Sequence, residues 1–169
     1  MMDLALGVLE KTEEESIAEM CSFCLSTLIL SKHNWAWACE KDLLSISFKA
    51  ARKFTENISI GTSFLTACQV LTFSDEGEEK FAYIERVGVA EKVLELIEFS
   101  EEKSVFDSRF VVNVEQGMKA LKNFAVSSQR WRTLEPQSKR IEKVCKRTSH
   151  LQVSKEVLFQ LEKRQNENI

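Results

Sequence analysis

Cys21-Ser22-Phe23-Cys24, with His33 and Cys39 downstream, comes nearest to a metal site in this chain of 169 residues. A CxxC pair supplies two of the four thiolate or imidazole ligands that zinc takes. Structural zinc sites hold such a pair in a turn. Here it lies within a helically periodic apolar run with Met20, Leu25 and Leu28, so both cysteines are expected to pack in the core, and no metal is assigned. Thioredoxin-like chemistry is not expected either, because no strand precedes the pair. Nucleophilic catalysis by a Cys/His pair needs His33 or His150, and both fall at predicted helix ends outside any recognisable catalytic context. The sequence carries no GxGxxG, P-loop, GxSxG or HExxH pattern. The acidic runs Glu13-Glu14-Glu15 and Glu76 to Glu79 lack the alternating carboxylates and glycine of a calcium loop and read as solvated helix starts. No catalytic residue and no cofactor is assigned, and the chain is not expected to be an enzyme.

A second constellation is basic. Arg130, Trp131, Arg132, Lys139, Arg140, Lys143, Lys146 and Arg147 combine basic residues with an aromatic ring, as nucleic-acid binders often do. Lys139, Lys143, Lys146 and Arg147 share one predicted helical face. From Gln129 to Ile169 there are ten Lys/Arg against five Asp/Glu, although the whole chain carries a net charge of −3. An acidic body with a basic tail suits an acidic partner or, more simply, a solvated helix face. The overall acidity and the absence of a helix-turn-helix or RNA-binding motif make nucleic-acid or acidic-surface binding the alternative reading. Trp35, Trp37 and Phe48 are expected to pack in the core or at an interface rather than stack on bases.

The elements that must position these residues are helices. Hydrophobic residues make up 44% and charged residues 29%, near the averages for globular proteins, which disfavours disorder and membrane classes. One proline and five glycines leave too few turn residues for many short strands, so the class is all-α. The length suits a single domain over 1–169. Uncharged runs such as Met20 to Ser31 fall short of the roughly 20 apolar residues of a membrane-crossing helix. Asp3 and the interruption by Glu10 and Lys11 argue against a signal peptide. Five cysteines in a chain able to build its own core suggest a reducing compartment, cytoplasmic or nuclear.

Apolar spacing predicts helices over Thr12 to Leu30, from Ala36 to about Thr55, and from Ile58 to Phe73 with Asn57 as the break before it. The Ser74-Asp75-Glu76-Gly77 cluster ends the third. Short helices follow over Glu79 to Val87 and, after Gly88, Val89 to Phe99. A charged loop from Ser100 to Lys103 precedes a long helix from Asp107 to Val126, with a break at Ser127-Ser128 or Thr133. Pro136 suits the first turn of a helix. The last helices are Gln137 to Arg147 and Val153 to Arg164, and Gln165 to Ile169 is expected to fray.

Two segments match when superposed. One ends Leu71-Thr72-Phe73 after small residues Ala67 and Cys68, and the other ends Leu121-Lys122-Asn123-Phe124-Ala125 after Gly117 and Ala120. Between them, Gly88-Val89-Ala90-Glu91-Lys92-Val93-Leu94-Glu95-Leu96-Ile97 resembles the glycine turn and second helix of an armadillo repeat. The stretch closing on Ala120-Leu121-Lys122-Asn123-Phe124-Ala125 is similar to that family's third helix. The resemblance covers Phe64 to Trp131, with the best-matching repeats in 58–131 and the basic C-terminal helices in 136–167. The distance from Phe73 to Phe124 exceeds the roughly 40–47 residues of such repeats, which places an insertion in Phe99 to Val112. The helix from Ile17 to Leu30 is then the last helix of an earlier, degenerate repeat.

The resemblance implies a right-handed helical-repeat solenoid of about two to three degenerate armadillo-like repeats plus C-terminal helices. HEAT-like solenoids and an unrelated bundle are the alternatives. It further implies a non-catalytic protein-protein interaction module or adaptor, whose third helices line a groove for an extended segment and whose helix-end asparagine bonds its backbone. Asn123 matches that asparagine; Thr72 stands at the earlier equivalent. Lys119 replaces the tryptophan of nuclear-import receptors, so basic import signals are not the expected ligand. Lys119, Lys122, Asn123 and Arg130 would form the polar lining, suited to an acidic or phosphorylated segment of an unidentified protein in a larger assembly. The alternative is that Asn123 ends its helix and the lysines are solvated.

Overall fold

A computed structural model describes residues 1–73, 78–126 and 128–167. Among the described residues every regular element is helical, and no helix is long and apolar enough to cross a membrane. The helices fall into two compact units, Met1–Val89 and Ala90–Ile169.

The first unit starts with α1 (Met2–Lys11), a helix that the sequence reading did not anticipate. Leu6 and Leu9 anchor it in the core. The break after it is local: the Thr12 hydroxyl accepts the Glu14 amide at 3.1 Å, and the chain is extended at Thr12 and Glu14. Helix α2 (Glu15–Leu28) then buries Ala18, Ser22, Leu25 and Ser26. Side chains from the following turn finish it. The Asn34 amide donates to the Leu28 carbonyl at 2.7 Å and the Trp35 indole to the Ile29 carbonyl at 2.9 Å, satisfying oxygens that a helix end leaves open.

The helix expected from Ala36 to Thr55 is two, α3 (Trp35–Glu40) and α4 (Leu43–Lys53). Asp42 between them adopts φ 55°, the left-handed region, which aspartate tolerates better than most residues. A tertiary contact holds the break. Tyr83 on α6 (Glu78–Val87) accepts the Leu44 amide at 2.8 Å, capping the first turn of α4 from another helix. Helix α5 (Ile58–Thr72) matches the expectation, and Asn57 caps it by accepting the Ile60 amide at 3.1 Å. The same Asn57 side chain donates to Glu15 at 2.8 Å and Glu19 at 3.0 Å near the start of α2. The two helices pack with their starts together, so α2 and α5 run parallel. The core around them holds Leu44, Phe64, Leu65 and Leu71, with the Phe48 and Phe64 rings 5.3 Å apart. The Ser74 to Gly77 cluster lies outside the described residues.

Gly88 takes φ 65°, so the chain leaves α6 through a left-handed turn that suits a residue without Cβ. In the second unit, α7 (Val89–Ser104) continues through the segment expected to be a charged loop. Its charges are compatible with helix because Ser100 is buried while Glu102 is exposed, an amphipathic extension of the same periodicity. A 3₁₀ turn, Ser108–Phe110, capped by Asp107, leads into α8 (Val111–Val126). Of the two breaks expected, Ser127-Ser128 falls where α8 ends at Val126 and α9 (Ser128–Leu134) starts, with Ser127 outside the described residues, whereas Thr133 lies inside α9, which buried Trp131 and Leu134 hold. Pro136 sits in the 3₁₀ turn Glu135–Gln137 that opens α10 (Ser138–Arg147). Helix α11 (Gln152–Glu167) continues beyond the point where fraying was expected, and 168–169 are outside the description.

Candidate functional site

Helix α8 presents the predicted groove residues. Its inner stripe, Val114, Gly117, Met118, Leu121, Phe124 and Ala125, is buried, and Phe110 just before it is fixed by an edge-on contact with Phe99, centroids 6.1 Å apart. The opposite stripe carries Val112, Glu115, Lys119, Asn123 and Val126, spaced three or four residues apart and therefore on one face. Lys119 and Asn123 are half-buried there, while Val112 and Val126 are exposed.

Helix α11 packs beside α8 and is tied to it at two levels. Lys122 meets Glu156 at 2.6 Å. Further along both helices, the Arg164 guanidinium donates to the carbonyls of Ala125 at 3.3 Å and Val126 at 2.6 Å. The contacts occur in the same order on each helix, so α8 and α11 are parallel. Arg164 also places a cation on the carbonyl end of α8, where the helix dipole favours it. The Lys122 ammonium, through its hydrogen bond and then its charge, holds the Glu156 carboxyl below the ordinary range. Phe159, 62% exposed, stands on the outer side of α11.

The four predicted lining residues therefore divide. Lys119 and Asn123 share the outer face of α8. Lys119 pairs with Glu115 at 3.0 Å and Lys122 with Glu156, so both cations already have carboxylate partners within the unit. Arg130 is only 4% exposed and contributes no charge to that surface. The face thus carries paired cations together with exposed Val112, Val126 and Phe159.

The alternative basic face is similarly engaged. Arg140 binds Glu98 at 2.7 Å, Arg147 pairs with Glu101, and Lys146 meets Glu142 one turn away at 2.5 Å. Lys139 and Lys143 are exposed. The Glu98 hydrogen bond raises the Arg140 pKa further, fixing a charge that was never in doubt at neutral pH. What α10 offers outward is a surface of ion pairs more than an uncompensated basic stripe.

The cysteines correct an expectation. Cys24 is exposed and Cys21 half-buried, because the stripe that α2 buries runs through Ala18, Ser22 and Leu25 instead of Met20, Cys24 and Leu28. The helix is apolar on both sides, and periodicity alone did not tell which side faces the core. Burial and then the neighbouring Cys24 push the Cys21 thiol up, away from the thiolate that a metal takes. His33 is exposed and His150 is exposed, each at a helix end as expected.

In the first unit a cleft of about 740 Å³ opens between α3 and α6, lined by Trp35, Cys39, Lys80, Tyr83 and Arg86 among others. The Lys80 ammonium lies 4.2 Å from the Trp35 ring centroid, a cation–π contact across it. Burial keeps the Cys39 thiol protonated despite Lys80 and Arg86, and burial raises the Tyr83 phenol as well. Neither group is primed as a nucleophile or base. Tyr83 and Arg164 are the structurally consequential residues that sequence reasoning missed; each acts on the backbone of a distant helix, and no local spacing announces such a contact. Compared with protein-family models, curated proteins and solved structures, the chain matches none.

Proposed function

We propose that this chain is a non-catalytic protein-interaction module of armadillo-like helical-repeat type, which binds a segment of another protein along the outer face of α8 and α11. The observation that carries this reading is the parallel α8–α11 pair, whose outward side combines a helix-end asparagine, Asn123, with exposed Val126 and Phe159. Parallel neighbours are what stacked repeats produce. The starts of α2 and α5, Glu15 and Ile58, and of α8 and α11, Val111 and Gln152, are each separated by a distance within the range of about 40–47 residues for such repeats. With Lys119 and Lys122 paired to carboxylates, the favoured ligand is an extended segment with apolar anchors, its backbone bonded by Asn123, and not one recognised chiefly through acidic charge.

Selection of displayed random peptides on the full chain tests this. Peptides selected on the natural sequence are expected to bind Asn123→Ala about tenfold more weakly, a loss of about 1.4 kcal/mol. The melting temperature is read alongside, because Asn123 is half-buried, and a loss of binding that only follows a loss of folded protein also overturns the assignment. Peptides that bind the variant equally well overturn the assignment.

A further inference from the structure

Helix α2 is uncharged on two opposite sides. Its inner stripe is buried in the unit formed with α1 and α5, while the outer stripe of Met20, Phe23, Cys24 and Thr27 is exposed, Met20 by 67% and Phe23 by 66%. Exposed hydrophobic positions in register mark an interaction surface more than scattered ones do.

The stripe carries no charged side chain, and its spacing is symmetric about the point between Phe23 and Cys24. Reversing the helix direction about that point brings Phe23 opposite Cys24 and Met20 opposite Thr27. A two-fold axis there pairs the stripe with itself, which is what an isologous contact requires. Charges at the two ends select this antiparallel arrangement. Glu13, Glu14 and Glu15 crowd the start of α2, Lys32 and His33 follow its end, and all five are exposed. Within the unit Glu13 meets Lys53 at 2.6 Å, Glu15 accepts from Asn57 at 2.8 Å and Lys32 lies over the Trp35 ring, so Glu14 and His33 are the charges most open to the other copy. Antiparallel copies set the acidic start of one beside the basic end of the other, with helix dipoles opposed; parallel copies would set acid against acid.

From this geometry we infer that the chain forms a two-fold homodimer through the outer face of α2, a surface separate from the α8–α11 face. One helix per copy buries less than about 1,200 Å² in total, so the dimer belongs to the weak, transient class. Sedimentation equilibrium of the full chain under reducing conditions, from low micromolar to near-millimolar concentration, is expected to show a mass rising from one copy towards two. Phe23→Glu and Met20→Glu each weaken association by about tenfold or more, by burying a charge in the contact. Both sites are exposed, so thermal melts should be unchanged. Glu14→Lys weakens it also, and Glu14→Lys combined with His33→Glu, the residue opposite Glu14 about the same axis, restores it with the signs exchanged. A natural chain that stays monomeric throughout, or a dimer indifferent to Phe23→Glu and Met20→Glu, overturns the inference. A double charge exchange no better than the single one overturns the antiparallel arrangement. Asn123→Ala leaves this equilibrium unaltered, which separates the result from that for peptide binding.

Discussion

Tyr83 reaches from α6 to the first turn of α4, where its hydroxyl accepts the Leu44 amide. Both groups are buried, and helix starts carry amides without partners inside the helix, so this one bond settles an account that no residue near Leu44 closes. Tyr83→Phe keeps the ring and removes the acceptor. Leaving the amide buried and unmet is expected to cost about 1–3 kcal/mol in chemical denaturation, with the m-value unchanged. A variant as stable as the natural chain would show that α4 starts without help. The neighbouring Asp42 explains why the turn was hard to foresee: its left-handed conformation breaks a periodic apolar pattern without the glycine or proline that commonly signals such a break.

At the scale of the element, helix type and most of the inner stripes were legible because they rest on local spacing. Ile58 to Thr72 follows from Asn57 and the apolar positions after it, and Gly88 makes the turn expected of it, in the left-handed region. What the sequence did not reveal depends on which neighbour each face meets. Met20, Cys24 and Leu28 look as much like a core stripe as Ala18, Ser22 and Leu25 do; only packing against α1 and α5 chooses between them. The charges of Lys119, Lys122, Arg140 and Arg147 likewise looked available for a ligand, and three of those cations meet carboxylates on another helix of the unit. The Lys122–Glu156 bridge has a pH signature. Because the folded carboxyl titrates below its unfolded value, its contribution is complete above the ordinary carboxylate pKa and is lost as the pH falls through the lowered one. Lys122→Met should therefore flatten the acid limb of a stability-versus-pH curve in that window. Identical limbs would show that the bridge contributes nothing, the usual outcome for wholly exposed pairs.

For the molecule as a whole, charge and shape of surface point to different partners. The chain as a whole is acidic while its C-terminal helices are locally basic, and there Arg140, Lys146 and Arg147 are each bound to a carboxylate while Lys139 and Lys143 stand exposed. On the proposed reading, a protein segment docks on the exposed apolar groups of α8 and α11, beside Asn123. The most direct test is a titration of the isotopically labelled full chain with a selected peptide, followed by backbone amide chemical shifts. Shifts concentrated on Lys119, Asn123, Val126 and Phe159 are the predicted result. Saturable binding with shifts confined to α3 and α6, or to Lys139 and Lys143 on α10, would contradict the placement of the binding face on α8 and α11.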